Sequence, residues 1–540
     1  MKKYLIIFFL HVSLFSFAQI EDAWIYFTDK PNAAFYLANP LEMLSQRALD
    51  RRAFQNIILD EKDVPISVSY INQVTNSTGI IVKAKSKWLN ALHIRGIVSD
   101  IESLENLTFV DHIEFADKTL NINASAGNTS QQGINQVNKN VEALATFGYG
   151  PSNNQIEMLN GHLLHQQDFT GSGKIIAVMD TGFVGVDVTS PFQRMQDDNL
   201  ILGGYDFVNS STNFYGGGSH GTMVLSTMGG YVENQLVGTA PDAQYYLFIT
   251  EDIDAENPVE ESFWVEAAEE ADRLGADIIN TSLGYFGFDN PNYNYTYADM
   301  NGTTSFISRG SEVAFSRGMI CVTSAGNSGT SENPHIAVPA DAANTLAVGA
   351  VMPDESYATF SSIGPSFDGR VKPDVMAQGK NAVVSDESGN IGTSDGTSFS
   401  GPITAGLVAC LWQALPDKTN LEIIQLIRES ASLFTTPNAQ FGYGIPDFNL
   451  IVQNALGTNS LIQDRFIVYP NPLESVLYLD FPKDFKSGEI SIFNSLGQCV
   501  LLEKITVNAA SLSLENLSSG IYFYEIVAGD VSQKGKLIKK

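Results

Sequence analysis

The sequence predicts an α/β protein with a central parallel sheet covered by helices, preceded by a small α+β unit and followed by an all-β sandwich. Residues 160–455 alternate short apolar runs with longer helical patterns, which is typical of a parallel sheet buried on both faces. Charge also divides the 540-residue chain, since residues 151–464 hold 10 Lys+Arg against 37 Asp+Glu, whereas residues 465–540 hold 8 of each. From residue 465 onward, short strand-like runs are separated by turn signals. We therefore expect one domain at 151–460 and another at 465–540.

The first 18 residues are predicted to be a signal peptide. Lys2 and Lys3 precede an apolar run, and Ser16-Phe17-Ala18 places small residues where a signal peptidase reads them. Cleavage after Ala18 is favoured over an uncleaved anchor because the apolar run is short. The mature protein is therefore expected to be exported.

Residues 19–120 are predicted to form the α+β unit, and residues 121–150 a linker. The patterns predict strands at 65–71, 79–84 and 109–115, and helices at 89–97 and 101–107. Residues 121–140 of this linker are rich in Asn, Gln, Ser and Gly and almost lack large apolar residues.

The same patterns give the elements of the two later domains. Strands are predicted at 174–179, 243–248, 277–282, 319–323 and 346–351, and helices at 220–229, 259–274, 305–317, 398–415 and 420–430. In the last domain, strands are predicted at 476–481, 490–493 and 521–527.

Composition excludes several classes of protein. A net charge of −29 argues against a nucleic-acid-binding surface, which needs clustered Lys and Arg. The acidity predicts a soluble monomer, and it serves either solvation alone or attraction of basic protein and peptide substrates. Three cysteines are too few for a disulfide framework, and Cys321 and Cys410 lie in apolar runs that predict buried free thiols.

Three polar segments of the middle domain lie at the expected ends of strands and helices. Asp180 ends an apolar strand, His220 opens a helix, and Ser398 opens another, very apolar helix. A serine hydroxyl needs a base to become a nucleophile, imidazole is a suitable base, and a carboxylate fixes its tautomer. Alone, each residue has a structural explanation as a cap or turn residue. Together, in the order Asp, His, Ser, they predict a catalytic triad.

Asn327 adds a fourth group, because it follows a predicted strand in the segment TSAGNSG. Its amide can donate a hydrogen bond to the oxyanion of a tetrahedral intermediate. The alternative for this residue on its own is a turn position with left-handed backbone.

The middle domain resembles the catalytic domain of the subtilisin-like serine peptidases, the subtilases. The matching segments are AVMDTG, SHGT, IINTSLG, TSAGNSG, FSSIGPSFDGRVKPDVMAQG and GTSFSGPITAG. The resemblance implies that Asp180 orients His220, that His220 acts as general base and acid, and that Ser398 attacks the substrate. It further implies that Asn327 and the Ser398 backbone N–H bind the oxyanion, with no cofactor needed for catalysis.

The resemblance also assigns substrate-binding residues. Ser282, Leu283 and Gly284 would pair with the substrate backbone as an added strand, and Ala325 and Gly326 would line the primary specificity pocket. Val338-Pro339 matches a family site with a cis proline, so we predict a cis bond there.

The sequence departs from the family pattern at several positions. Met223 stands where the family often has His, and Phe399 where it often has Met. The calcium ligands of the family cannot be assigned here, so structural calcium is left open. The aromatic segment at 285–301 is expected either to shape substrate subsites or to form an exposed loop.

The flanking regions resemble parts of secreted zymogens. Residues 19–120 resemble an inhibitory propeptide, with activation cleavage in the 121–150 linker; the alternative is a permanent accessory domain. Residues 465–540 resemble the C-terminal sorting domain of type IX secretion through VYPNP, IFNSLGQ, LSSGIY and GKLIK, which implies that the secretion machinery is a partner. The alternative is a carbohydrate-binding or adhesive β-module.

The sequence as a whole predicts a secreted or surface-attached serine endopeptidase made as a zymogen. The competing hypothesis is an inactive surface adhesin or binding protein on the same scaffold. The complete set of Asp180, His220, Ser398 and Asn327 favours the peptidase.

Overall fold

The computed structural model describes residues 19–121, 147–455 and 466–540, the last range without 470–472, 474, 481–484, 495–496, 507–510 and 529–530. The predicted signal peptide and most of the predicted linker lie outside the described residues. The chain divides into two compact units, one ending at Asn449 and the other beginning at Leu450. Within the described residues, none of the helices combines the length and apolar character needed to cross a membrane.

The N-terminal domain is a four-stranded antiparallel sheet with short helices. Its elements are β1 (Ile20–Phe27), α1 (Ala33–Ala38), α2 (Gln46–Phe54), α3 (Val68–Thr75), β2 (Ile81–Ser86), β3 (Ala91–Ile97), α4 (Val98–Ser103) and β4 (Val110–Phe115). The strand order is β2-β3-β1-β4. Ala23 and Ile25 of β1 point into the core of this domain, whereas Trp24 and Tyr26 pack against the peptidase-like domain.

Two predictions in this domain are wrong. Residues 89–97, predicted as a helix, contain β3, whose side chains are buried on both faces of the sheet and therefore do not alternate between buried and exposed. Residues 65–71, predicted as a strand, instead lead into α3. Ile66 is buried before the helix begins, and Val68 is exposed within it. The strands at 79–84 and 109–115 are confirmed as β2 and β4, each starting one or two residues later.

The peptidase-like domain is built on a seven-stranded parallel sheet in the order β13-β12-β11-β10-β5-β9-β6. Its elements are α5 (Asn153–Glu157), α6 (His162–His165), β5 (Ile175–Asp180), α7 (Gln193–Asp197), β6 (Ile201–Asp206), α8 (His220–Gly229), β7 (Tyr231–Val232), β8 (Leu236–Val237), β9 (Gln244–Ile249), α9 (Val259–Leu274), β10 (Ile278–Thr281), α10 (Phe306–Ser316), β11 (Ile320–Ser324), β12 (Leu346–Val351), β13 (Val375–Gln378), β14 (Ala382–Ser385), β15 (Ile391–Ser394), α11 (Thr397–Ala414), α12 (Asn420–Ser430) and α13 (Phe448–Ala455), the last crossing into the second unit.

The predicted fold class is confirmed. The five predicted strands are β5, β9, β10, β11 and β12, and the five predicted helices are α8 to α12. β6 and β13 were not predicted, because β6 contains two glycines and β13 has only four residues. Helix α11 is almost entirely buried and therefore shows no polar face. Its first turn lies beside the carboxyl ends of the strands.

The C-terminal unit contains two antiparallel sheets that share one core, as predicted for a β-sandwich. One sheet is β16 (Ile467–Tyr469), β17 (Val476–Asp480) and β20 (Ser511–Ser513); the other is β18 (Ser487–Phe493), β19 (Cys499–Thr506), β21 (Gly520–Ala528) and β22 (Val531–Lys539). Leu477 and Leu479 from the first sheet pack with Ile490 and Ile526 from the second.

Candidate active site

Asp180 and His220 meet at the carboxyl edge of the parallel sheet. Asp180 ends β5, is 1% exposed, and lies 2.7 Å from Nδ1 of His220, the first residue of α8. The backbone N–H of Thr181 donates to the same carboxylate oxygen at 2.8 Å. The helix can approach this closely because residue 221 is glycine; a Cβ there would lie 2.4 Å from the Gly182 carbonyl oxygen.

This contact sets the protonation of His220. The negative charge of Asp180 is the largest cause that raises the pKa of His220; burial opposes the rise, and the charge of Glu251 adds to it. A carboxylate can only accept a hydrogen bond, so the proton of the neutral ring lies on Nδ1. Nε2 therefore keeps its lone pair and can act as a base.

Ser398 lies in the first turn of α11, next to the end of β10. Its hydroxyl donates to the carbonyl oxygen of Ser282 at 3.2 Å, and the Ser282 hydroxyl donates to the Ser398 carbonyl at 3.0 Å. The second bond replaces a helical one, because Pro402, four residues along α11, has no N–H. The structure thus joins Asp180 to His220 directly, while the Ser398 hydroxyl is bonded to Ser282.

The side chain of Asn327 is held in one orientation. Its Oδ1 accepts hydrogen bonds from the backbone N–H of Thr397 at 2.9 Å and from the Thr397 hydroxyl at 3.1 Å. Since a backbone N–H can only donate, the atom facing Thr397 is the oxygen, and Nδ2 points elsewhere. A Cβ on Gly396 would lie 3.6 Å from both this Nδ2 and the Ser398 backbone nitrogen, so two potential donors lie beside the space next to this glycine.

The predicted substrate-binding residues border the same edge. Residues 282–284 follow β10, and Gly284 is exposed. Ala325 and Gly326 follow β11; Ala325 is buried, and the Gly326 N–H donates to the Thr397 hydroxyl at 3.2 Å. The two segments therefore lie on either side of the first turn of α11.

Val338 completes this edge. It exchanges backbone hydrogen bonds with Tyr285 at 2.9 and 3.2 Å, directly after the 282–284 segment. A Cβ on Gly284 would lie 3.0 Å from the Val338 carbonyl oxygen, so the two chain segments are in close contact. The predicted cis bond between Val338 and Pro339 is confirmed.

The aromatic segment at 285–301 is not the exposed loop offered as one alternative. Tyr285, Phe288, Tyr293 and Tyr295 are buried. The Tyr293 hydroxyl donates to Glu21 of β1 at 2.8 Å, which shows that the segment contacts the N-terminal domain. The sequence of residues 19–121 contains no pattern that indicates contact with the 285–301 segment.

The N-terminal domain docks on α9 and α10 of the peptidase-like domain. Glu269 of α9 accepts three hydrogen bonds from the β2–β3 turn: from the Ser86 hydroxyl at 2.7 Å and from the backbone N–H groups of Lys87 and Trp88 at 3.0 and 2.9 Å. Burial raises the pKa of Glu269 to about 7. One carboxylate thus binds three consecutive residues of the turn.

A buried ion network lies one helical turn further along α9, at the same interface. Arg52 of α2 is 2% exposed and donates to Asp272 of α9 at 2.9 and 2.7 Å and to Asp63 at 2.7 Å. Arg51 contacts the same Asp272 carboxylate. Burial alone would raise the pKa of Asp272, but the two arginines hold it below its ordinary value. This aspartate therefore carries its charge at neutral pH.

Cys321 and Cys410 are buried and free, as predicted, and Cys499 is exposed. Among the residues that the structure describes, no group of three or more His, Cys, Asp or Glu side chains could hold a metal ion.

Sequence reasoning missed Thr397 and Glu251 as parts of this edge. Thr397 lies inside the GTSFSG motif, directly before Ser398. This position next to the predicted nucleophile is the sequence signal that could have identified it. Glu251 follows β9 by two residues and gives no local signal, because its partner Tyr285 lies 34 residues away.

Comparison with known proteins gives three family matches. Residues 22–135 match a peptidase S8 propeptide domain of Bacteroidota, residues 171–444 match the subtilase family, and residues 467–540 match a secretion system C-terminal sorting domain. The subtilase match covers about half of the chain. The sorting domain indicates export to the cell surface or beyond.

Individual relatives agree with these matches. The chain is 30% identical over 294 residues to subtilisin NAT of Bacillus subtilis subsp. natto and, equally, to subtilisin E of Bacillus subtilis (strain 168); each match covers 54% of this chain and 68% of the relative. It is 28% identical over 374 residues to the thermophilic serine proteinase of Bacillus sp. (strain AK1), covering 68% of this chain and 79% of that protein. The chain therefore belongs to the subtilase family of serine peptidases and carries a propeptide domain and a C-terminal sorting domain.

Proposed function

We propose that this chain is a secreted serine endopeptidase that cleaves protein and peptide substrates through Asp180, His220 and Ser398. The Ser398 Oγ attacks the scissile carbonyl carbon while His220 Nε2 takes its proton. The C–N bond then breaks, and His220 returns the proton to the leaving amine. Water repeats the sequence on the acyl-enzyme and releases the acid.

The observation that carries this proposal is the bond between Asp180 and His220. It fixes the tautomer with Nε2 free and stabilises the imidazolium that forms when Ser398 is deprotonated. For the reaction, the Ser398 hydroxyl turns from the Ser282 carbonyl towards His220. A substrate strand that adds along residues 282–284 offers its own N–H to that carbonyl and so favours the turn.

Negative charge on the tetrahedral intermediate would be bound in the space beside Gly396. The Asn327 Nδ2 and the Ser398 backbone N–H lie beside this space, and the amide is already oriented by Thr397. Donors fixed before the reaction stabilise the transition state without the cost of reorienting. The first turn of α11 adds the positive end of its helix dipole.

Maturation and export follow from the flanking domains. We infer that residues 19–120 keep the enzyme inactive until the chain is cut within 121–150. The signal peptide would direct export from the cytosol, and the sorting domain would then pass the protein through type IX secretion. Whether the product is released or stays on the surface depends on processing of the 465–540 region.

Substitution of the proposed triad tests this function in the full-length chain. Because the three residues act as a unit, Ser398→Ala and His220→Ala should each lower kcat by about 10⁴–10⁶-fold, and the double variant should be no worse than either one. Hydrolysis of an unfolded protein substrate at the wild-type rate by Ser398→Ala would refute the assignment. A folded wild type that has lost residues 19–120 and is still inactive would favour a binding protein.

A further inference from the structure

A buried hydrogen bond lies at the catalytic edge, the carboxyl edge of the parallel sheet where Asp180 and His220 meet. The Tyr285 hydroxyl donates to Oε1 of Glu251 at 2.5 Å, and the two residues are 1% and 9% exposed. Glu251 follows β9, Tyr285 follows β10, and β5 lies between these two strands. The bond therefore spans the end of the strand that carries Asp180.

The two ends of this bond connect to different parts of the catalytic edge. The backbone of Tyr285 directly follows residues 282–284 and pairs with Val338, so this residue ends the segment on which a substrate strand would add. Glu251 follows Thr250, whose N–H donates to the Asp180 carbonyl oxygen at 3.0 Å. The bond thus links the end of the 282–284 segment to the residues that pair with the end of β5.

We propose that Glu251 and Tyr285 are a positioning pair that fixes the substrate-binding segment 282–284 relative to the Asp180–His220 pair. This inference rests on the peptidase function proposed above. Neither residue touches the reacting atoms. Their effect should grow with the length of substrate that lies along the segment, because a small substrate makes no strand with it.

The surroundings of Glu251 explain why a tyrosine is needed there. The charges that face the carboxylate are those of Asp180, Glu256, Glu260 and His220, and most of them are negative. Hydroxyls of Thr250 and Tyr285 are its hydrogen-bond donors. Burial is the largest cause that raises the pKa of Glu251 to about 8, and the hydrogen bond from Tyr285 opposes this rise. Without the Tyr285 hydroxyl, Oε1 of Glu251 would lose its 2.5 Å bond and keep the one from Thr250 at 3.2 Å, so the loop after β9 would no longer be tied to residue 285.

The test compares two substrates in full-length chains allowed to mature, with rates expressed per active site titrated by a fluorophosphonate. Tyr285→Phe keeps the buried ring and removes the bond. We expect kcat/KM for a peptide anilide with four residues before the cleaved bond to fall about tenfold, which is about 1.4 kcal/mol. For a small acetyl ester, the change should be below twofold.

Two further variants show whether the bond itself is responsible. Glu251→Ala should behave as Tyr285→Phe does, and it replaces that variant if Tyr285→Phe yields no active sites. Glu251→Gln keeps an acceptor oxygen and should restore the wild-type ratio of peptide to ester activity. Tyr295→Phe is the matched control, because Tyr295 makes a similar buried bond of 2.6 Å to Glu261 without pairing with the substrate segment.

Equal losses on both substrates would overturn the inference, since they would show a general structural role. So would a wild-type ratio in both Tyr285→Phe and Glu251→Ala. In either case an active wild type leaves the peptidase function standing. A wild type that hydrolyses neither substrate would overturn the proposed function and this inference together.

Discussion

Asp272 offers the most direct test of how the N-terminal domain is held. Asp272→Asn removes the charge that compensates Arg51 and Arg52, all three of which are buried. Breaking a buried ion pair by removing one partner costs about 3–5 kcal/mol, because the other charge stays buried without compensation. Arg52 keeps its 2.7 Å pair with Asp63, so the cost arises mainly from Arg51, and we expect a value within that range.

Amide hydrogen exchange measures this cost in the full-length chain with Ser398→Ala, which prevents self-cleavage. A loss of 3–5 kcal/mol corresponds to about a 10²–10⁴-fold fall in protection of β1 to β4, whereas β5 and β10 should keep theirs. Because the arginines lower the pKa of Asp272, the wild-type interaction is present above the ordinary aspartate pKa and is lost only as pH falls through the lowered value. Protection from this source should therefore be constant through neutral pH.

Lys85→Met provides the control at the same interface. Lys85 is 60% exposed and pairs with Glu266 at 3.4 Å, so its loss should cost about 0–1 kcal/mol. If Asp272→Asn reduced protection no more than Lys85→Met, the buried network would not hold the domain.

Four further outcomes are expected. Asn327→Leu should lower kcat by about 10²–10³-fold at nearly constant KM, as expected for one oxyanion donor, and an unchanged kcat in steady-state kinetics would remove Asn327 from the site. Because Asp180 raises the pKa of His220 above its ordinary 6.5 and only the neutral ring accepts a proton, kcat/KM should rise with pH along a limb centred above pH 6.5; a limb well below that would contradict the charge coupling. Peroxide should inactivate this enzyme more slowly than a relative with Met at the position of Phe399, since phenylalanine forms no sulfoxide, and equal rates would argue against this. Basic peptides should be cleaved faster than acidic ones at low salt, and a preference that is insensitive to salt would exclude long-range steering by the acidic domain.

The sequence predicted best those parts of the structure whose signals are local. Helices α8, α9 and α12 end where the periodic patterns end, and Asp180, His220 and Ser398 lie at the ends of predicted elements. In subtilases these ends carry the reacting groups, so a few motifs were enough to locate the edge of the sheet. The sandwich at the C-terminus was predicted from short strand-like runs separated by turn signals.

Features that depend on a second domain or a distant partner were not predictable in the same way. β1 and β3 are buried on both faces because the N-terminal sheet covers α9 and α10, and a single-chain pattern cannot show that second face. The bond from Tyr285 to Glu251 and the contacts of Glu269 likewise join residues far apart in sequence. In each case, tertiary packing determines which residues meet, and the spacing of the residues in the sequence does not indicate it.

Labelling with a fluorophosphonate tests the central claim most directly. The wild-type chain and Ser398→Ala would be labelled side by side, and mass spectrometry would identify the modified residue and the mature N-terminus. We expect one label on Ser398, none in the variant, and a mature wild-type chain that begins within 121–150. A folded chain that lacks the N-terminal domain and takes no label at Ser398 would contradict the assignment of this protein as a serine peptidase.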